Sequence, residues 1–173
     1  MKAFYYLLLL ALLSTGFSSC KKDKSVFSDF ELITEMDASC DTIGAIDPFD
    51  WTYDKTWSVQ EEGFLKFRDS IPSGDSVAGW VEVSPACPNP NNGQVFVGIN
   101  TQRNCKMRMV CINNEQQIVY YTARKFTGGQ ILTGYDFRGL TAFHANENYR
   151  FYYGFYTASD SLYYKGHGDF RIE

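Results

Sequence analysis

The chain has 173 residues, 20 Asp+Glu against 16 Lys+Arg, and a formal net charge of −4. Its one basic stretch is Lys21, Lys22 and Lys24, which argues against a nucleic-acid partner. Aromatic residues make up 17% of the chain, and there are five cysteines.

The first element is a leader. Lys2 precedes an apolar run of 11 residues, Ala3 to Leu13, followed by the small residues Ser14, Thr15, Gly16, Ser18 and Ser19. This three-part pattern predicts a signal peptide over 1–19, and the run is too short to span a bilayer as a helix. The segment FSSCKKDK (17–24) resembles a bacterial lipoprotein signal, in which a cysteine after small residues is lipidated and becomes the first mature residue. Ser18 and Ser19 match that pattern, and Phe17 replaces the usual aliphatic residue. The resemblance implies lipidation at Cys20, and several acyl chains make a stable anchor. Lys rather than Asp at position 21 implies outer-membrane attachment, facing either the periplasm or the cell surface. Residues 20–29 then form a polar tether. Removing 1–19 from 173 leaves 154 residues with 15 Lys+Arg against 20 Asp+Glu, a net of −5 and room for one domain over 30–173.

That domain reads as strands nearly throughout. TWSVQ (56–60) and FLKFRDSI (64–71) predict a hairpin turning at Glu61, Glu62 and Gly63. GWVEVS (79–84) alternates and stops at Pro85; ACPNPNNG (86–93) is a loop. QVFVGIN (94–100) points Val95, Val97 and Ile99 one way. CKMRMVC (105–111) points Cys105, Met107, Met109 and Cys111 one way. QQIVYYTAR (116–124), QILTGYDF (130–137), YRFYYGFYTA (149–158), SLYYKG (161–166) and DFRIE (169–173) complete the set. Short strands at regular spacing predict an all-β fold, an antiparallel β-sandwich of immunoglobulin-like type with a barrel as the alternative.

Four cysteines remain after Cys20, and an oxidising compartment predicts two disulfides. Cys105 and Cys111 lie about 20 Å apart along an extended strand, too far to bridge. If QVFVGIN and CKMRMVC form a hairpin, Cys111 faces the loop holding Cys87. The expected pairs are therefore Cys87–Cys111 and, by elimination, Cys40–Cys105. Wide gaps, with no histidine near a cysteine in sequence, argue against zinc.

From Gly79 to Phe126, the strand GWVEVSP, the loop ending in NNG, QVFVGIN and the pair CKMRMVC and QIVYYT resemble the second half of a BACON domain. That family's members are immunoglobulin-like modules of bacterial lipoproteins and glycan-using enzymes. The resemblance implies a β-sandwich with a carbohydrate- or mucin-binding role.

No motif predicts catalysis. FHANE and KGHGD are not metalloprotease or deaminase signatures, and there is neither a nucleophile elbow nor a P-loop. Asp47, Asp50 and Asp54 lack EF-hand spacing. The reading is a non-enzyme without a cofactor. Two aromatic clusters stand out instead. YRFYYGFY carries rings on both faces and reads as buried strand. DPFDWTYDKTW places Trp51, Tyr53 and Trp57 at positions of one parity, beside Asp50 and Asp54. If extended, it predicts a sugar-stacking platform with carboxylates hydrogen-bonding to hydroxyls. The expected function is a lipid-anchored, non-catalytic binding module for carbohydrate or glycoprotein. The alternatives are a protein-interaction, structural or inhibitor-type lipoprotein and a lipocalin-like carrier of a small ligand.

Overall fold

The computed structural model describes residues 32–66 and 80–173. The expected signal peptide (1–19), Cys20, the tether (20–29) and the end of FLKFRDSI lie outside the described residues.

Seven strands are present among the described residues: β1 (Val81–Val83), β2 (Gln94–Thr101), β3 (Cys105–Ile112), β4 (Ile118–Phe126), β5 (Gly129–Asp136), β6 (Glu147–Tyr156) and β7 (Leu162–Ile172). They form two antiparallel sheets, ordered β1-β2-β5 and β4-β3-β6-β7. The fold is an all-β sandwich, and the sheets do not close into a barrel. Strand alternation sets the inner faces. Val95, Val97 and Ile99 of β2 and Met107, Met109 and Cys111 of β3 meet in one core with Phe151, Tyr153 and Phe155 of β6. Burial of Tyr149, Phe151, Tyr152, Tyr153, Phe155 and Tyr156 confirms that the aromatic strand β6 is covered on both sides.

The chain crosses between the sheets from β2 to β3, from β4 to β5 and from β5 to β6, as Greek-key sandwiches of immunoglobulin type do. A second mark of that class is at the β5–β6 corner. The Tyr149 hydroxyl, near the start of β6, accepts the His144 N–H at 2.7 Å and donates to the Ala142 carbonyl at 3.4 Å. This is a tyrosine corner, which pins the crossing loop to the strand it enters.

Three local expectations are corrected. Residues 56–66 do not form a hairpin; Val59–Leu65 is a helix, α1. The deciding residues are Ser58 and Glu61, a capping box in which Ser58 Oγ accepts the Glu61 N–H and the Glu61 carboxylate accepts the Ser58 N–H at 2.6 Å. Phe64 and Leu65 of α1 cover Val110, Ile112 and Tyr152 on the outer face of the four-stranded sheet. The two expected C-terminal strands are one continuous strand, β7. Finally, the disulfide is Cys40–Cys87, with α-carbons 5.3 Å apart. Cys105 and Cys111 are free, buried thiols, so neither Cys87–Cys111 nor Cys40–Cys105 forms. The physical reason is topological: β2 and β3 belong to different sheets and share no hairpin.

The Cys40–Cys87 bridge ties an N-terminal strap to the sandwich. Residues 35–45 fold back as a narrow ribbon, with Glu35 N–H donating to the Ala45 carbonyl and Ile43 N–H to the Glu35 carbonyl. The Asp37 carboxylate closes its turn by accepting the N–H groups of Ser39 and Asp41. Met36 pairs with Asn89 in the loop before β2. The strap then runs beside β7, where the N–H groups of Trp51 and Asp54 donate to the His167 and Lys165 carbonyls at 2.8 and 2.9 Å. Further along β7, Asn91 N–H donates to the Arg171 carbonyl and Glu173 N–H to the Asn91 carbonyl. An edge that would otherwise template a foreign strand is thereby occupied by the chain itself.

Candidate functional site

The structure does not assemble the platform expected from Trp51, Tyr53 and Trp57. Trp51 is only 4% exposed, and its φ of 58° breaks the strand alternation on which shared parity depends. Its indole stacks near-parallel to Tyr153 at 6.2 Å and meets Phe151 edge-on at 6.1 Å. Glycine at 168 is required beneath it, because a Cβ there would fall inside the indole. At Gly166 a Cβ would likewise strike the Thr52 carbonyl. The sequence signal was Gly-His-Gly at 166–168, two glycines on one face of a strand, which marks close approach of another segment.

The partner residues serve the same closure. Asp50 is buried, and its Oδ1 accepts the Asp169 N–H at 2.7 Å. Burial, then the nearby Asp169 carboxylate, pushes its pKa up to about 8. Asp169 forms a two-pronged ion pair with Arg150, both bonds at 2.6 Å and both side chains buried. Asp54 accepts the Trp57 indole N–H at 2.9 Å and pairs with His167 Nδ1. Trp57 is half-buried, with the Lys165 ammonium 5.0 Å from its ring centroid. Tyr53 is 45% exposed but tilts against Tyr164. These five residues are a clasp holding the strap to β7, not a presented surface.

The open surface is elsewhere. Whereas α1 covers part of the outer face of the four-stranded sheet, the outer face of β1-β2-β5 carries a groove of about 600 Å³. Cross-strand register builds it. Glu82, Asn100 and Gln130 stand opposite one another on β1, β2 and β5, forming one polar row. Gly98, opposite Leu132, forms the floor, and Ser84 stands on the β1 side. The trough opens on β2 because Gly98 carries no side chain, with Leu132 rising on the β5 side and only the short Ser84 on the β1 side.

Apolar groups share this face by strand alternation. Trp80 is 45% exposed and two residues before Glu82, and Leu132 is 71% exposed. Phe96 is 43% exposed, and its ring lies across Gly134 of β5, where a Cβ would come within 2.9 Å of Phe96 Cε1. Such a mixture of amides, a carboxylate and exposed rings can hydrogen-bond to hydroxyls while offering apolar surface to ring C–H groups. Sequence reading missed this face because its defining feature is register between strands distant along the chain. Among the described residues no group of three or more His, Cys, Asp or Glu side chains could hold a metal ion.

No protein-family model matches the chain, and no curated protein matches it. Among solved structures, a beta-glucuronidase from glycoside hydrolase family 2 is similar at a TM-score of 0.32 and 11% identity, over 60% of this chain. The match spans 12% of that enzyme's length, and a likeness this low carries no argument about function.

Proposed function

We propose that this chain is a lipoprotein held to the outer membrane through Cys20, and that its β-sandwich is a non-catalytic carbohydrate-binding module. The observation that carries the binding reading is the groove on β1-β2-β5, with its polar row Glu82, Asn100 and Gln130 between exposed Trp80, Phe96 and Leu132. Among the described residues Glu82 is the single carboxylate lining that groove, while glycosidic hydrolysis ordinarily takes a pair, which favours binding over cleavage. The anchor reading rests on the leader and on Ser18-Ser19-Cys20.

Two experiments test the two halves. Cys20→Ala should release the protein from the membrane fraction and abolish incorporation of a radioactive fatty acid; retention with label refutes the anchor. A glycan array probed with the full chain should give hits that Asn100→Ala/Gln130→Ala removes. A protein-interaction reading is favoured by a different observation. Among the described residues no strand pairs with the outer edges of β4 and β5, and edges of this kind accept added strands. Array hits that survive the groove variants, or none at all, would turn attention to those edges.

A further inference from the structure

Resting on the carbohydrate reading above, we infer that the groove takes an uncharged, extended oligosaccharide lying along β2, with Gly98 setting the clearance beneath the chain. Length is the first argument. Val81 pairs with Thr101, so Trp80 lies one step beyond it, six residues along the sheet from Phe96. At about 3.4 Å per strand residue the two exposed aromatics are roughly 20 Å apart, with the polar row between them. A single sugar ring cannot reach both. A chain of rings can lie on Phe96 and Trp80 at its ends and offer hydroxyls to Glu82, Asn100 and Gln130 in its middle.

Charge is the second argument. Among the described residues Glu82 is the only ionisable one lining the groove, and it is an acid. At the Gln94 end of the sheet, both oxygens of Asp136 already hold the Arg138 guanidinium, at 3.0 and 2.7 Å. A uronate or sulfated glycan would therefore meet a carboxylate and, among the described residues lining the groove, no cation. Hydroxyls, by contrast, can donate to Glu82 and exchange hydrogen bonds with the two amides.

The third argument is the floor. Gly98 sits mid-strand on central β2, and its φ lies outside the left-handed region, so its backbone does not demand glycine. Glycine weakens a strand interior and often marks the close approach of another group or of a ligand. Here a Cβ would come within 2.9 Å of Ser84 Oγ, so the low floor is built by Gly98 and Ser84 together. Ser84 crouches beside it: its Oγ accepts the Gly98 N–H at 2.7 Å and donates to the Pro85 carbonyl at 3.3 Å, which keeps the short side chain low. A valine at 98 would displace Ser84 as well as stand up in the trough where the chain of rings is to lie.

The test uses the full chain purified in detergent and affinity electrophoresis against two sets of polymers. Galactomannan, xylan, β-glucan and dextran are neutral; polygalacturonate, hyaluronate and heparin are acidic. The expected result is retardation by at least one neutral polymer and by none of the acidic ones, with no competition from the corresponding monosaccharide. Gly98→Val should weaken that binding at least tenfold. Glu82→Ala/Asn100→Ala, which creates no clash, should do the same while melting close to the parent. Retardation by acidic polymers, or competition by a monosaccharide, overturns the inference and leaves the module reading standing. Binding that both variants retain removes the groove from the mechanism. Absence of binding to every polymer, or binding to a glycoprotein that persists after its glycans are enzymatically removed, refutes both the inference and the carbohydrate reading.

Discussion

Trp51 and Gly168 should be energetically coupled, and the coupling tests whether the clasp has the structure described. Trp51→Ala removes an indole that is 4% exposed and stacked on Tyr153 and Phe151. Truncating a buried tryptophan costs roughly 3–5 kcal/mol. At roughly 2–4 °C per kcal/mol, that lowers Tm by on the order of 10 °C or more. Gly168→Ala puts a methyl group inside the indole's footprint, so the ring must leave its slot or β7 must bow. The ring is backed by two other aromatics, so the cost falls toward the upper end of the roughly 1–3 kcal/mol typical of overpacking. In a Trp51→Ala background the same methyl group has room, and its cost should shrink to a few tenths of a kcal/mol. Guanidinium unfolding of the four chains, followed by far-ultraviolet circular dichroism, gives the interaction energy directly, expected on the order of 2 kcal/mol. Costs that add to within about 0.5 kcal/mol would show that Trp51 does not occupy the Gly168 slot.

Further expectations concern the charges, the thiols and the helix. The Asp50 carboxyl has a folded-state pKa of about 8, above its unfolded value near 4. Its protonation therefore stabilises the fold fully below about pH 4, less as pH rises, and not at all above about pH 8. Unfolding midpoints at pH 5 and pH 8.5 should fall more steeply for the parent than for Asp50→Asn; equal slopes would refute the assignment. Arg150→Met should cost roughly 3–5 kcal/mol by stranding the buried Asp169 carboxylate, measured by the same denaturation. In the Cys20→Ala chain, thiol titration should find two reactive groups after unfolding and neither while folded, because Cys105 and Cys111 are buried; four would contradict the Cys40–Cys87 bridge, and none would contradict the free thiols. Ser58→Ala should cost about 1 kcal/mol by opening the cap of α1, read as a shift in midpoint without a change in slope.

The strands were legible where alternation alone defines them. Val95, Val97 and Ile99 announce β2, and Met107 and Met109 announce β3, because a period of two is local information. α1 was not legible in that way: seven residues are too few to display a 3.6 period, and only the Ser58–Glu61 box signalled it. The clasp failed for another reason. Shared parity at 51, 53 and 57 presumes extended backbone, and a left-handed residue at Trp51 is dictated by the slot on β7, more than a hundred residues away. The groove is the extreme case, since Glu82, Asn100 and Gln130 become neighbours only through sheet register. Even its floor is written as an absence, a glycine in the middle of an otherwise ordinary strand.

The Cys40–Cys87 bridge also decides how the domain answers to force. A pull on the chain ahead of Leu32 meets the hydrogen bonds of Thr34 and Glu35 first, then the Met36–Asn89 pairing and the covalent bridge. From Cys87 the load passes to the start of β2, with which Cys87 exchanges two hydrogen bonds through Phe96. The segment from residue 41 to Asp54 is bypassed by the covalent load path and linked to the pulled chain only through hydrogen bonds of Thr34, Glu35 and Asp37, so the bridge shields the clasp on β7 from traction. Reduction would reroute the load through that segment and peel it from the edge strand bond by bond. The mechanical strength of this domain is therefore set by its redox state.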